Sequence, residues 1–377
     1  VPTKGWMEDT GRLPGFGRAA ATGRPPSWPA LRHREDLRTL LFCVVHFATA
    51  ALLWRQQLLT WPARCVAFCW TTCTAFQGTV VVHNCAHCSM FVDPAHNSAW
   101  FMLISVWTGA AATAYVPGHN LGHHKYLQTR QDVLRTNKVR HRYQLFNLLS
   151  YFPRVLPAIF RNDSRYFAAQ QALSRPIHRQ FRLDTTAVAS AYVCLLFINW
   201  HRFLWLIFVP QALAKGAIVT LNLLQHDGCD PRHAVNHSRN FVGPLLNWLC
   251  LNNGYHAAHH LWPGAHWSRL PALHARRVQP ANHPALDQPC ILTYLLRTFV
   301  LPTRRSNYDG SPYTEPGING DDGPDLPWAY DQPDLNGTAH CDPGGDAAAD
   351  AGGPRRPPGA DGLAWLRDAS DGRPKAE

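Results

Sequence analysis

Residues 63–82 read ARCVAFCWTTCTAFQGTVVV and run directly into His83-Asn-Cys-Ala-His87. After Arg64 the run carries no charge, and it shows little of the 3.6-residue polar stripe that a water-facing helix would keep. About 20 such residues cross a hydrocarbon core of about 30 Å. Four more apolar runs flank it, at residues 37–54, 99–116, from about 185 to 202, and 203–224. The chain therefore reads as an all-α, polytopic membrane protein. The net charge of +11 over 377 residues then reflects the basic cytoplasmic loops of a membrane protein, and no nucleic acid partner is expected.

The Lys/Arg balance sets the orientation. Residues 1–38 carry seven Lys/Arg and residues 117–182 carry twelve, whereas the connections at 55–64 and 199–202 carry two and one. The basic segments are expected on the cytoplasmic side. Runs one and two then form one hairpin, and runs four and five another. Run three has to bring both its flanks to the same side, and its length does not allow two crossings. It is expected to be re-entrant or interfacial, with Gly109 at the bend, because irregular backbone at membrane depth survives only where protein covers it. Four transmembrane helices in two hairpins follow, with both termini cytoplasmic and a cytoplasmic histidine-rich cap. The expected divisions are an N-terminal segment at 1–36, disordered or targeting, a membrane domain at 37–301, and a disordered acidic Pro/Gly-rich tail at 302–377. The tail holds 7 Lys/Arg against 14 Asp/Glu, a composition unable to bury a core.

The chain has 21 histidines but glutamate only at positions 8, 35, 315 and 377. A His-Glu-x-x-His zinc site and a glutamate-bridged di-iron bundle both need glutamates that the membrane region lacks. A metal here is held by imidazole. Three clusters stand just outside apolar runs: His83 and His87; His119, His123 and His124; His256, His259 and His260. His226 closes run five, four residues after Asn222. Residues four apart share a helix face, so each i, i+4 pair can aim two side chains at one point. Nine imidazoles are too many for one ion and suit two. Imidazole by itself does not separate Zn, Cu, Fe and Ni. Cys85 and Cys88 have no second Cys-x-x-Cys to close a structural zinc site. His46 within run one reads as a packing or hydrogen-bonding residue, Lys215 within run five is a buried cation in need of a partner, and Asp227 is placed to orient a ligand imidazole.

The three boxes, HxxxH, HxxxHH and HxxHH, resemble those of the membrane fatty-acid desaturase and hydroxylase superfamily over roughly residues 40–300. Asn252-Asn-Gly-Tyr-His256-Ala-Ala-His-His260-Leu-Trp-Pro263 is similar to the third box of acyl-lipid desaturases. His119-Asn-Leu-Gly-His-His124, with Thr129 and Asp132, is similar to the second box of alkane hydroxylases. The resemblance implies two non-haem irons, with O2 as co-substrate, held by His83, His87, His119, His123, His124, His226, His256, His259 and His260. It implies Asn222 as an indirect ligand, and His266 stands close enough after the third box to support the site. The expected activity is desaturation of a lipid acyl chain. Hydroxylation or ketolation of a fatty acid, sphingolipid or alkane is the alternative within the superfamily, and a polytopic transporter using histidine as a relay is the alternative outside it. With no His-Pro-Gly-Gly haem motif in the sequence, electrons are expected from a separate cytochrome b5 or ferredoxin. The basic 125–182 segment is a candidate docking face for such an acidic donor, the alternative being the ordinary positive-inside bias. The sequence leaves the compartment open between the endoplasmic reticulum, a plastid and the bacterial inner membrane.

Overall fold

The computed structural model describes residues 29–57, 60–313 and 324–330. The rest of the expected N-terminal segment and most of the expected tail lie outside these residues. The chain divides into two compact units, one built from 29–121, 156–221 and 327–330, the other from 122–155, 222–313 and 324–326.

The first unit contains the apolar helices. α1 (Leu37–Arg55) and α2 (Trp61–His87) form the expected hairpin. His46 Nδ1 meets Thr74 Oγ1 at 2.9 Å, and the Trp70 indole donates to Thr49 Oγ1 at 2.9 Å. Partner numbers fall along one helix as they rise along the other, so the two run antiparallel. At about 1.5 Å per residue, the 27 residues of α2 reach about 40 Å. That length carries His83 and His87 past the apolar run and into the protein.

α3 (Pro94–Thr108) starts earlier than the apolar run, because the Asp93 carboxylate caps it by accepting from the Ala95 and His96 backbone N–H groups. It ends at Gly109, which adopts the left-handed conformation at φ +69. The segment Ala112–Tyr126 then departs at 84° from Pro94–Thr108. This is the bend expected for run three, and its backbone groups are satisfied inside the unit. Gln211 Nε2 donates to the Val106 and Trp107 carbonyls at 3.0 Å each, and Lys215 Nζ donates to the Gly109 carbonyl at 3.0 Å. Lys215 therefore sits as a cation at a helix C-terminus, the end where the helix dipole favours positive charge. Beyond the bend, Asp184 accepts from the Thr113 N–H and hydroxyl, and Ser105 Oγ accepts from the Ala112 N–H.

α6 (Pro176–Arg202) leads through a π-helical turn (Phe203–Phe208) into α7 (Val209–His226). By length and apolarity these count as one 51-residue stretch, but the chain reverses within it. Asn199 leaves helical geometry at φ −163, ψ 93. Tyr192 Oη then lies 2.5 Å from Gln211 Oε1, whereas nineteen residues of straight helix would hold them about 28 Å apart. The second hairpin is thus present, and among the described residues α1, α2, α6 and α7 are the apolar helices that form the two hairpins. Their outer faces expose Leu41, Val44, Trp61, Val66, Phe197 and Ile198, an apolar surface suited to lipid. α5 (Gln144–Ala172), within the basic 117–182 stretch, exposes Phe146, Leu149 and Phe160 at helical spacing, the pattern of a helix lying in the membrane interface.

The second unit is irregular and polar. Among its described residues the strand structure is one short parallel pair, Asn240–Phe241 with Asp287–Gln288. Residues 302–313, expected as the start of the tail, pack into this unit instead. The Arg305 guanidinium forms a buried ion pair with Asp227 and donates to the Val139 carbonyl at 2.7 Å. Asp325 likewise pairs with Arg135 and with Lys138 Nζ at 3.0 Å, on the basic segment read as a docking face. Tail composition alone misplaces the boundary, because one arginine answering one buried carboxylate outweighs a polar neighbourhood.

Candidate metal centre

The second unit gathers four imidazoles from three stretches of chain. His123 ends a π-helical segment (Val116–His123), whose widened turn is a form that recurs at functional sites. His226 is the last residue of α7, and His256 and His260 lie on α9 (His256–Leu261). Their Nε2 atoms converge: His123 to His226 is 3.1 Å, His226 to His256 is 2.9 Å, and His260 to His256 is 3.1 Å. His124 Nε2 and His259 Nε2 form a further pair at 3.0 Å.

The first unit gathers His83 and His87 from the end of α2 with His119 from the π-helical segment. The ring centroids lie 5.3 Å apart for His83–His87, 4.7 Å for His83–His119 and 5.1 Å for His87–His119. Asn120 locks the two boxes together by donating to the Ala86 carbonyl at 2.7 Å. The Tyr115 ring stands 4.7 Å from that of His119.

All nine expected ligands are therefore in histidine groupings, but the grouping differs from the pairwise reading in one place. His83 stays with His87, and His256 with His260. His119 and His123, one turn apart, separate: His119 joins His83 and His87, whereas His123 joins His226, His256 and His260.

Local structure explains each placement. The C-terminus of α7 is held by the buried Arg239, which donates to the Leu224 and Asp227 carbonyls at 2.7 and 3.1 Å. Asp227, expected to orient an imidazole, has its carboxylate bound by Arg305 and by Gln144 Nε2 at 2.7 Å. Asn222 Nδ2 donates to the Leu134 carbonyl and to Tyr151 Oη, each at 2.8 Å. His266 caps the turn after the third box by accepting from the Ser268 N–H at 3.3 Å. α9 starts where Asn240 Oδ1 accepts the Ala257 N–H at 2.9 Å, and Asp287 fixes the Asn240 amide at 2.8 Å. Ahead of it Gly254 passes so close to the chain that a Cβ would lie 2.1 Å from the Phe241 carbonyl. Ala257, Ala258 and Leu261 bury the other face of α9 against Leu270, Leu273 and Val278, which fixes the direction of the histidines and keeps water away from that side.

The donor set fits a metal ion. His226 Nδ1 donates to the His237 carbonyl at 3.0 Å, and His123 Nδ1 donates to Asp132 Oδ2 at 2.9 Å. Each acceptor lacks a proton to give, so a neutral His123 and a neutral His226 both present a lone pair at Nε2. Two lone pairs 3.1 Å apart repel unless a cation lies between them. At a metal–nitrogen distance of about 2.1 Å, ligands at right angles stand about 3.0 Å apart, which matches the observed separations. Burial lowers the His260 pKa well below its ordinary value, and the neighbouring imidazoles act in the same direction, so this residue is already in its ligand form at neutral pH. Burial alone would raise the Asp132 pKa. The His123 imidazole and the Gln128 and Leu134 N–H groups outweigh it and hold the carboxyl below its ordinary range.

Asp132, Tyr115 and the His237 carbonyl were not legible as site groups in the sequence. Asp132 carried one signal, its place in the extended second box. His237 and His274, outside the three boxes, are buried, with His274 paired to Asp287 at 3.2 Å. Burial pushes the His237 pKa down to about 4.

The family model described as fatty acid desaturase matches residues 59–289, more than half of the chain, from the start of α2 through the short strand pair. No curated protein matches the chain.

Proposed function

The chain belongs to the fatty acid desaturase family, and on that premise we propose that it is an O2-dependent, non-haem di-iron desaturase acting on the acyl chain of a lipid. One hydrogen leaves each of two adjacent methylenes. O2 takes these with two external electrons and two protons, giving one double bond and two waters. Bound iron supplies the activation of O2 for attack on an unactivated C–H bond.

The observation that carries this reading is the convergence of the Nε2 atoms of His123, His226, His256 and His260 at 2.9–3.1 Å, with no glutamate near them in sequence. In this reading these four would hold one iron, His83, His87 and His119 would give ligands to the other, and His124 and His259 complete the nine. His237 and Asp132 hold the Nδ1 protons of His226 and His123, so both rings offer Nε2 to the metal. The apolar packing behind α9 excludes water from that side of the centre. Asn222 would be the indirect ligand. The exposed apolar faces of α1, α2 and α6 give a lipid substrate a route from the bilayer, with both termini and the histidine boxes on the cytoplasmic side. The electrons come from a separate cytochrome b5 or ferredoxin.

The test is lipid profiling by mass spectrometry in a host that expresses the chain. A new lipid lighter by two hydrogens, and absent with the His226→Ala variant, is the expected result. A product heavier by one oxygen would assign the chain to hydroxylation instead.

A further inference from the structure

Asp132 and His123 are both fully buried, and their contact is built by a single loop. Gln128 stands in the left-handed region at φ +60, a strained conformation for a residue with a side chain. It turns its N–H onto Asp132 Oδ2 at 2.9 Å, while the Leu134 N–H reaches Oδ1 at 2.8 Å. The Gln128 side chain pins the other end of the loop, its Oε1 accepting from the Thr136 N–H at 2.8 Å. The carboxylate thus accepts two backbone N–H groups and keeps a lone pair on Oδ2 for His123 Nδ1. His226, in the same cluster, has a neutral backbone carbonyl at the equivalent nitrogen.

We infer that Asp132 is a positioning residue for the metal centre: it holds His123 in the tautomer that leaves Nε2 unprotonated and makes this imidazole a stronger donor than its neighbour His226. The inference rests on the di-iron reading above. A carboxylate behind a metal-bound imidazole fixes its ring and raises its basicity, and the loss of such a partner lowers metal affinity about 10–100-fold. The isosteric amide does not replace it. With Nδ2 in the place of Oδ1 it would face the Leu134 N–H, donor to donor. With Nδ2 in the place of Oδ2 it would face the Gln128 N–H and drive the His123 proton to Nε2, where a metal should bind.

The experiment compares the full chain with Asp132→Asn and Gln128→Ala, purified in detergent and loaded anaerobically with ferrous iron. Bound iron is titrated and its Mössbauer spectrum recorded. Gln128→Ala loosens the same loop but keeps its backbone N–H on Asp132, so it reports on loop structure alone. The full chain is expected to bind two irons. Asp132→Asn is expected to bind one of them about 10–100-fold more weakly and to change that iron's signal, with the other signal unchanged. Gln128→Ala is expected to keep both signals. Asp132→Asn with both affinities and both signals intact would overturn the inference. So would equal losses from both irons in the two variants, since that is what a purely structural role produces. An unsubstituted chain that binds no iron would refute the di-iron reading, and the inference with it, and this outcome is distinct from the other two.

Discussion

Replacing Gly109 by alanine tests how the re-entrant segment is held. Gly109 ends α3 at φ +69, where a Cβ costs about 1–2 kcal/mol. That Cβ would also lie 1.9 Å from Tyr192 Oη and 2.3 Å from Gln211 Oε1. Neither side chain can withdraw freely. Gln211 holds the Val106 and Trp107 carbonyls at 3.0 Å, and Tyr192 contacts the Gly109 carbonyl and Gln211. Moving Gln211 aside strands two carbonyls away from water, at about 1–3 kcal/mol each. The sum is on the order of 3–8 kcal/mol, against a total stability of about 5–15 kcal/mol for an ordinary protein. Gly310 supplies an internal control. Its φ is +86, but nothing lies within 4 Å of an added Cβ, so Gly310→Ala is expected to cost only the conformational term of about 1–2 kcal/mol. The assay is reversible unfolding in mixed micelles with increasing denaturing detergent, followed by tryptophan fluorescence. If the two variants lose the same stability, the packing account of the bend is wrong.

Four further outcomes follow from the contacts described above. Lys215→Met, which leaves the Gly109 carbonyl without its charged donor, is expected to lower stability by about 1–3 kcal/mol in the same unfolding assay, and Lys215→Arg to recover part of it. Breaking the buried Arg305–Asp227 pair with Arg305→Met or Asp227→Asn is expected to cost about 3–5 kcal/mol. The double variant should lose clearly less than the sum, so a double-mutant cycle with no coupling would remove the pair from the account. A chain truncated after residue 330 is expected to keep its iron, and one truncated after residue 302 to lose folded protein, as read by size-exclusion chromatography and metal analysis. His226→Ala and His259→Ala are each expected to abolish desaturation and reduce bound iron, while His201→Ala, an exposed residue at the tip of the second hairpin, leaves both unchanged.

Local patterns were legible where a short stretch of chain is enough to specify the outcome. The apolar runs are long enough to cross a membrane and lack the polar stripe of a water-facing helix, and this placed the helices and the two hairpins. The histidine spacing placed ligands on helix faces. Gly109 was legible as a bend because only the run's length conflicted with its flanks. What failed was inference from adjacency. Asp227 follows His226 in the chain, but successive helix positions point about 100° apart, and its carboxylate meets Arg305 from 78 residues away. Composition failed at residue 302 for the same reason.

The sequence by itself determined that this is a multi-span helical membrane protein, and that its candidate metal ligands are imidazoles near the ends of apolar helices. Run length and one-turn spacing are properties of a few consecutive residues, and no distant partner alters them. Only the tertiary structure decided which histidines share a cluster, which group takes each Nδ1 proton, and how the bent segment satisfies its backbone. Those outcomes depend on atoms brought together from remote elements. One of the acceptors that matter, the His237 carbonyl, is a backbone group that every residue carries and no sequence pattern marks.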